Sequence, residues 1–168
     1  MKRFFLLPLL LTLGLALYAK PVLPEILSDG MVLQQNSKVN IWGKAGPGKT
    51  VEVKPCWSKT AVKATVDNEG NWLAVIETPE ASFNPRTITI SDGEEIVLKD
   101  ILIGEVWLAS GQSNMEMPLQ GFNNNPILGA NETIAFSGEY PAIRFVTIPK
   151  TPSFEPLESV EGRWQVCN

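Results

Sequence analysis

From Leu23 to about Leu98, apolar and polar side chains alternate in short stretches, the period of strands buried on one face. Val39-Asn40-Ile41-Trp42, Val51-Glu52-Val53, Val62-Lys63-Ala64-Thr65-Val66, Trp72-Leu73-Ala74-Val75-Ile76 and Ile88-Thr89-Ile90 each put every second residue on the same side. The stretches are separated by Ala45-Gly46-Pro47-Gly48, Asp67-Asn68-Glu69-Gly70 and Ser91-Asp92-Gly93, all rich in turn-forming residues. The pattern predicts an antiparallel β-sandwich-like unit over residues 20–99, with Trp72 and Ile88 largely buried. Near Asp100 the texture changes. Ile101–Ala109 is almost continuously apolar, which predicts a strand covered on both faces, as in a parallel sheet flanked by helices. Ile143–Ile148 would be a neighbouring strand, so residues 100–168 read as the start of an α/β domain of parallel-sheet type.

Composition narrows the class. With 44% hydrophobic and 19% charged residues, the 168-residue chain is too apolar to be disordered and too interrupted to cross a membrane repeatedly. A net charge of −4 without a Lys/Arg cluster beyond the N-terminus lacks the footprint that phosphate backbones require, so nucleic acid is not an expected partner. Met1-Lys2-Arg3 followed by an uncharged run from Phe4 to Ala19 matches an export signal, read as residues 1–19 and cut after Ala19. The chain is therefore expected to be secreted or periplasmic, with no stable membrane insertion after cleavage. Cys56 and Cys167 are expected to be two unrelated thiols, and with no histidine in the chain no ordinary zinc site is expected.

Two motifs bear on chemistry. Gly43-Lys44-Ala45-Gly46-Pro47-Gly48-Lys49-Thr50 fits the phosphate-loop pattern by letter, but Val51-Glu52-Val53 and Pro55 continue as strand. A phosphate loop must lead into a helix, so a Gly/Pro hairpin turn is expected instead. The second stretch is Gly104-Glu105-Val106-Trp107-Leu108-Ala109-Ser110-Gly111-Gln112-Ser113-Asn114-Met115-Glu116. Ser113 after a buried strand would stand where open α/β sheets bind ligands, with Gly111 allowing a sharp turn and the following amides facing an oxyanion. Ser113-x-x-Glu116 is also a literal capping box, so a capping and a catalytic serine both remain open on pattern alone.

Residues 104–115 resemble the signature of the sialate O-acetylesterase family, whose catalytic domain is an SGNH-type (flavodoxin-like) α/β hydrolase. Leu27–Gln34 and Ile41–Gly48 resemble the β-rich leader before that domain, and Ile143-Arg144-Phe145 and Trp164-Gln165-Val166-Cys167 also fit. The resemblance implies an exported serine esterase acting on O-acetylated sialic acid or another acetylated glycan, without cofactor or metal. Ser113 would be the nucleophile, and Gly111, Gln112, Ser113 and Asn114 would form the turn and part of the oxyanion hole. The family's histidine and its orienting acid lie late in the full domain, so the chain is expected to represent only the N-terminal portion and to be inactive alone.

Other readings accompany this one. Glu105 is expected to be structural or edge-facing, and Asn131-Glu132-Thr133 fits a glycosylation acceptor. Trp42, Trp57 and Trp72 could stack sugars, but alternating strands favour core packing. The rival to an esterase is a non-catalytic carbohydrate-binding or adhesion module, and a further alternative is a structural fragment.

Overall fold

A computed structural model of the chain describes residues 20–167, so the expected signal segment lies outside the described residues. Seven strands occupy residues 32–104: β1 (Val32–Gln34), β2 (Lys38–Lys44), β3 (Thr50–Pro55), β4 (Val62–Thr65), β5 (Asn71–Glu77), β6 (Ser82–Ser91) and β7 (Glu95–Gly104). Alternation is strictest in β3, where Val51, Val53 and Pro55 are buried between exposed neighbours, and in β5, where Trp72, Ala74 and Ile76 are. The strands form a five-stranded sheet in the order β1-β7-β6-β3-β4 and a two-stranded sheet of β2 with β5. Ile41, Trp72 and Ile76 from the small sheet join Val51, Val53, Ile88 and Ile90 from the large one in a single apolar cluster. Two sheets closed over one core are the sandwich-like arrangement the alternation implies.

The pairing differs from expectation in three ways. The large sheet is mixed, because β1 runs parallel to β7, with Val32 opposite Leu102 and Gln34 opposite Gly104. Of the three expected turns, only Ser91–Gly93 closes a hairpin, between β6 and β7. The residues between β2 and β3, and those between β4 and β5, carry the chain from one sheet to the other. The Gly43–Thr50 segment is therefore a crossing, not a hairpin turn. Glycine is required at its start, since a Cβ on Gly43 would collide with the Val22 carbonyl oxygen. Val22 and Lys44 are there joined by two backbone hydrogen bonds of 2.8 Å.

The expected strand Ile101–Ala109 is corrected in its bounds. Ile101, Leu102 and Ile103 are buried in β7, the strand that begins at Glu95, whereas Trp107 and Leu108 are 86% and 93% exposed outside any strand. Apolar side chains drive a run into a core only where another surface meets them, and none of the described residues covers 106–109. The parallel sheet flanked by helices is likewise not formed among the described residues. Beyond Gly104 lie two short α-helices, α1 (Ser113–Glu116) and α2 (Ala130–Phe136), a 3-10 turn at Ser137–Glu139, and a small antiparallel pair, β8 (Arg144–Phe145) with β9 (Gln165–Val166). Ile143–Ile148 thus contributes two residues to a separate pair, not a strand beside β7.

This last part is tied to the β-unit at specific points. Arg144, whose side chain is 6% exposed, donates from Nη1 to the Gly30 carbonyl at 2.9 Å and to the Asp100 carbonyl, and from Nη2 to Asp100 Oδ1 at 2.9 Å. Asp100 sits in the left-handed region at φ 56°, a conformation aspartate tolerates better than β-branched residues. Trp164 packs against the core and donates its indole N–H to the Ile26 carbonyl at 2.8 Å. Trp42 does the same to the Glu158 carbonyl at 3.0 Å.

Candidate functional site

The site is built on the segment that leaves β7. Its first residue, Glu105, is held by two side chains from the end of β1. Gln34 Nε2 donates to Glu105 Oε2 at 2.9 Å, and Gln35 Nε2 donates to Oε1 at 2.6 Å. Gln34 Oε1 in turn accepts from the Val106 amide at 2.9 Å. The parallel register of β1 on β7 makes this meeting possible, because it brings Gln34 level with Gly104. Glu105 is thus structural and edge-facing, as its position in the sequence suggested.

After Val106 the chain runs exposed to Gly111, which has φ 151° and whose Cβ, if present, would lie 3.1 Å from Met115 Cγ. Glycine relieves both restrictions. Ser113 is the first residue of α1 and is exposed, with Gln112 flanking it on one side and Asn114 on the other. No side-chain cap hydrogen bond is made there. The capping box is therefore not formed, because Ser113 stands inside the turn, not before it, and Glu116 pairs instead with Lys150 at 2.5 Å. Gly111, Gln112, Ser113 and Asn114 thus form one exposed turn.

Both nearby carboxylates have other partners: Glu116 pairs with Lys150, and Glu105 accepts from two glutamine amides. Hydrogen bonds from Gln35 and then Gln34 hold the Glu105 carboxyl below the ordinary glutamate range, against a smaller opposing effect of burial. A folded-state pKa below the unfolded one means that the stabilisation is complete above the ordinary value and is lost as pH falls through the folded value. The Gln34 and Gln35 side-chain amide resonances should therefore keep their shifts as pH falls through the ordinary glutamate range and move only below it. A transition centred above the ordinary glutamate value would contradict these hydrogen bonds.

Other candidates fall away. Trp72 is buried in the core and Trp57 donates its indole N–H to the Glu77 carbonyl at 2.8 Å, so with Trp42 engaged as above the three do not form a stacking platform. Cys56 lies in the turn that follows β3, and both cysteines are free. Asn131 is exposed at the start of α2. A cleft of about 610 Å³ lies between Phe83 and Pro85 of β6 and the Tyr140–Arg144 segment, and Ser113 is not among its lining residues. Reasoning from sequence overlooked the contribution of Gln34 and Gln35. Its one signal was a pair of adjacent amide side chains ending an otherwise apolar strand.

No family model matches the chain. It is 30% identical over 142 residues to the sialate O-acetylesterase of Rattus norvegicus, covering 79% of this chain and 25% of that protein. The match to the sialate O-acetylesterase of Homo sapiens is 30% over 155 residues, 82% of this chain and 28% of that one. A solved carbohydrate acetylesterase from Xanthomonas citri superimposes with a TM-score of 0.75 at 31% identity, over 88% of this chain and 32% of that enzyme. The chain spans about a quarter of the length of the curated relatives it matches. In sequence over about four-fifths of its length, and in fold over more than that, the chain is a homologue of the sialate O-acetylesterases and of a carbohydrate acetylesterase.

Proposed function

We propose that the chain supplies the nucleophile of an exported carbohydrate O-acetylesterase, with Ser113 as the attacking residue and an O-acetylated sialic acid or related sugar as substrate. The observation that carries this reading is an exposed Ser113 on a glycine-entered turn, in a chain similar over most of its length to acetylesterases. Ser113 Oγ attacks the acetyl carbonyl carbon while a base removes its proton. The ester C–O bond then breaks, and the sugar oxygen leaves with that proton. Water attacks the acetyl-serine in turn, releasing acetate and restoring the hydroxyl. The Ser113 amide would donate to the oxyanion, with Gly111, Gln112 and Asn114 shaping the turn.

On this reading the base is supplied by polypeptide outside these 168 residues, and two observations support it. The sequence contains no histidine, and Glu105 and Glu116 are engaged elsewhere. On this reading the chain is the N-terminal part of an SGNH-type domain preceded by its β-rich leader, and Met1–Ala19 directs its export.

The test is a hybrid in which residues 20–167 replace the matching third of the Xanthomonas citri enzyme. Deacetylation of acetylated sugars and 4-nitrophenyl acetate by the hybrid, with none above background from the 168-residue chain, is the expected result. A folded hybrid without turnover would overturn the esterase reading. Turnover by the chain alone that is lost on Ser113→Ala would overturn the account of the base.

A further inference from the structure

Between Glu105 and Gln112 the chain is exposed, and among the described residues its hydrogen bonds to the β-unit are confined to its first two positions. Among the described residues, the strap's hydrogen-bonded attachment to the β-unit therefore runs through Gln34, Gln35, Glu105 and Val106. Both glutamine amides are used at both ends. Gln34 donates to Glu105 and accepts from the Val106 amide, while Gln35 donates to Glu105 and accepts from the Ala81 amide at 2.9 Å. The Gln35 backbone adds a bond to the Gly104 carbonyl at 2.8 Å. With each amide group occupied at oxygen and nitrogen, neither can flip without losing a partner.

We propose that Gln34, Gln35 and Glu105 are positioning residues for Ser113, forming a latch by which the leading β-unit sets the path of the strap that carries the nucleophile. The inference rests on the reading of Ser113 above. A nucleophile displaced by about an ångström loses much of its effective concentration, so a serine on an exposed strap needs support behind it. A strap held at its root turns the β-unit from a neighbouring module into part of the site.

The donor and acceptor pattern gives a test that packing alone would not pass. Glu105→Gln puts an amide nitrogen where one of two acceptor oxygens is needed, and Gln34→Glu sets two carboxylates against each other. The pair together restores every bond. The carboxylate introduced at position 34 would accept from Val106 and from the new amide at position 105, whose oxygen would still accept from Gln35. In the 168-residue chain, each single variant should speed exchange of the Val106 amide by about 10-fold and lower the backbone order parameters of 105–110. The double variant should bring both back to within about 3-fold of the starting protein, with the Ile88 and Ile90 amides unchanged throughout. In the hybrid, the singles should lower kcat with little change in KM, and the pair should recover it.

Singles that leave the strap unchanged, a pair no better than either single, or a loosening that extends equally to Ile88 and Ile90 would overturn the latch. If the reversal restores strap order while hybrid turnover survives Ser113→Ala, the nucleophile assignment fails and the latch remains only as a structural device. If turnover depends on Ser113 but the reversal restores nothing, the latch fails alone.

Discussion

Turnover by the hybrid should fall by roughly 10⁴-fold or more when Ser113 is replaced by alanine, because removing a nucleophile from an intact serine constellation disables the whole unit. The loss should appear in kcat, since the hydroxyl acts on the acetyl carbon and contributes little to holding the sugar. Ser113→Cys is the informative companion. It keeps a nucleophile of similar shape at the start of α1, so it should retain acetylation by an activated ester such as 4-nitrophenyl acetate while slowing deacylation. The neighbours give a contrast of a different kind. Gln112 and Asn114 lie on the same exposed turn, and their alanine variants should cost no more than about 10²–10³-fold, the range for a single oxyanion donor. Hybrid turnover that survives Ser113→Ala to within about 10-fold would move the chemistry to another residue.

Trp72→Ala should destabilise the chain by about 3–5 kcal/mol, while Trp72→Phe should cost much less than its change in size suggests. The indole is 3% exposed and sits in the cluster shared by the two sheets, so truncation leaves a cavity bounded by β-strands that cannot collapse into it. Its Nε1 is buried without a hydrogen-bond partner among the described residues, a penalty of about 1–3 kcal/mol that phenylalanine removes. The two effects oppose each other, and the phenylalanine variant should lie within about 1.5 kcal/mol of the parent. Thermal or urea unfolding followed by circular dichroism measures both, with the alanine variant melting roughly 6–20 °C lower. A phenylalanine variant as damaged as the alanine one would show that Nε1 does have a partner, such as a bound water.

These two residues also mark what a sequence can and cannot disclose. Trp72 was legible as core because alternation fixes the face of a strand, and β5 keeps it without interruption. Alternation does not choose partners. It therefore could not reveal that β2 and β3 lie in different sheets, or that β1 pairs in parallel with a strand some seventy residues away. Hydropathy alone likewise merged Ile101–Ile103, which bury, with Trp107 and Leu108, which do not, since burial depends on whether a second surface arrives. At the site, the exposed turn at Ser113 followed from Gly111 and its polar neighbours. The hold on Glu105 did not, because it requires knowing which strand end stands beside it.

The parallel pairing of β1 with β7 has a temporal consequence. The ribosome releases Val32–Gln34 well before Leu102–Gly104, so β1 must wait for the one strand it pairs with among the described residues while the intervening strands emerge. Closing a loop of that length carries an entropic cost that rises only slowly with each added residue, but contacts between such distant segments slow a folding reaction. Docking of β1 at the sheet edge is therefore expected to be among the last events in the β-unit, after the β6–β7 hairpin supplies the surface it needs. The chain then acquires its ordered strap and its finished edge in the same step, so a nascent protein whose first strand has not yet docked also has no fixed place for its serine.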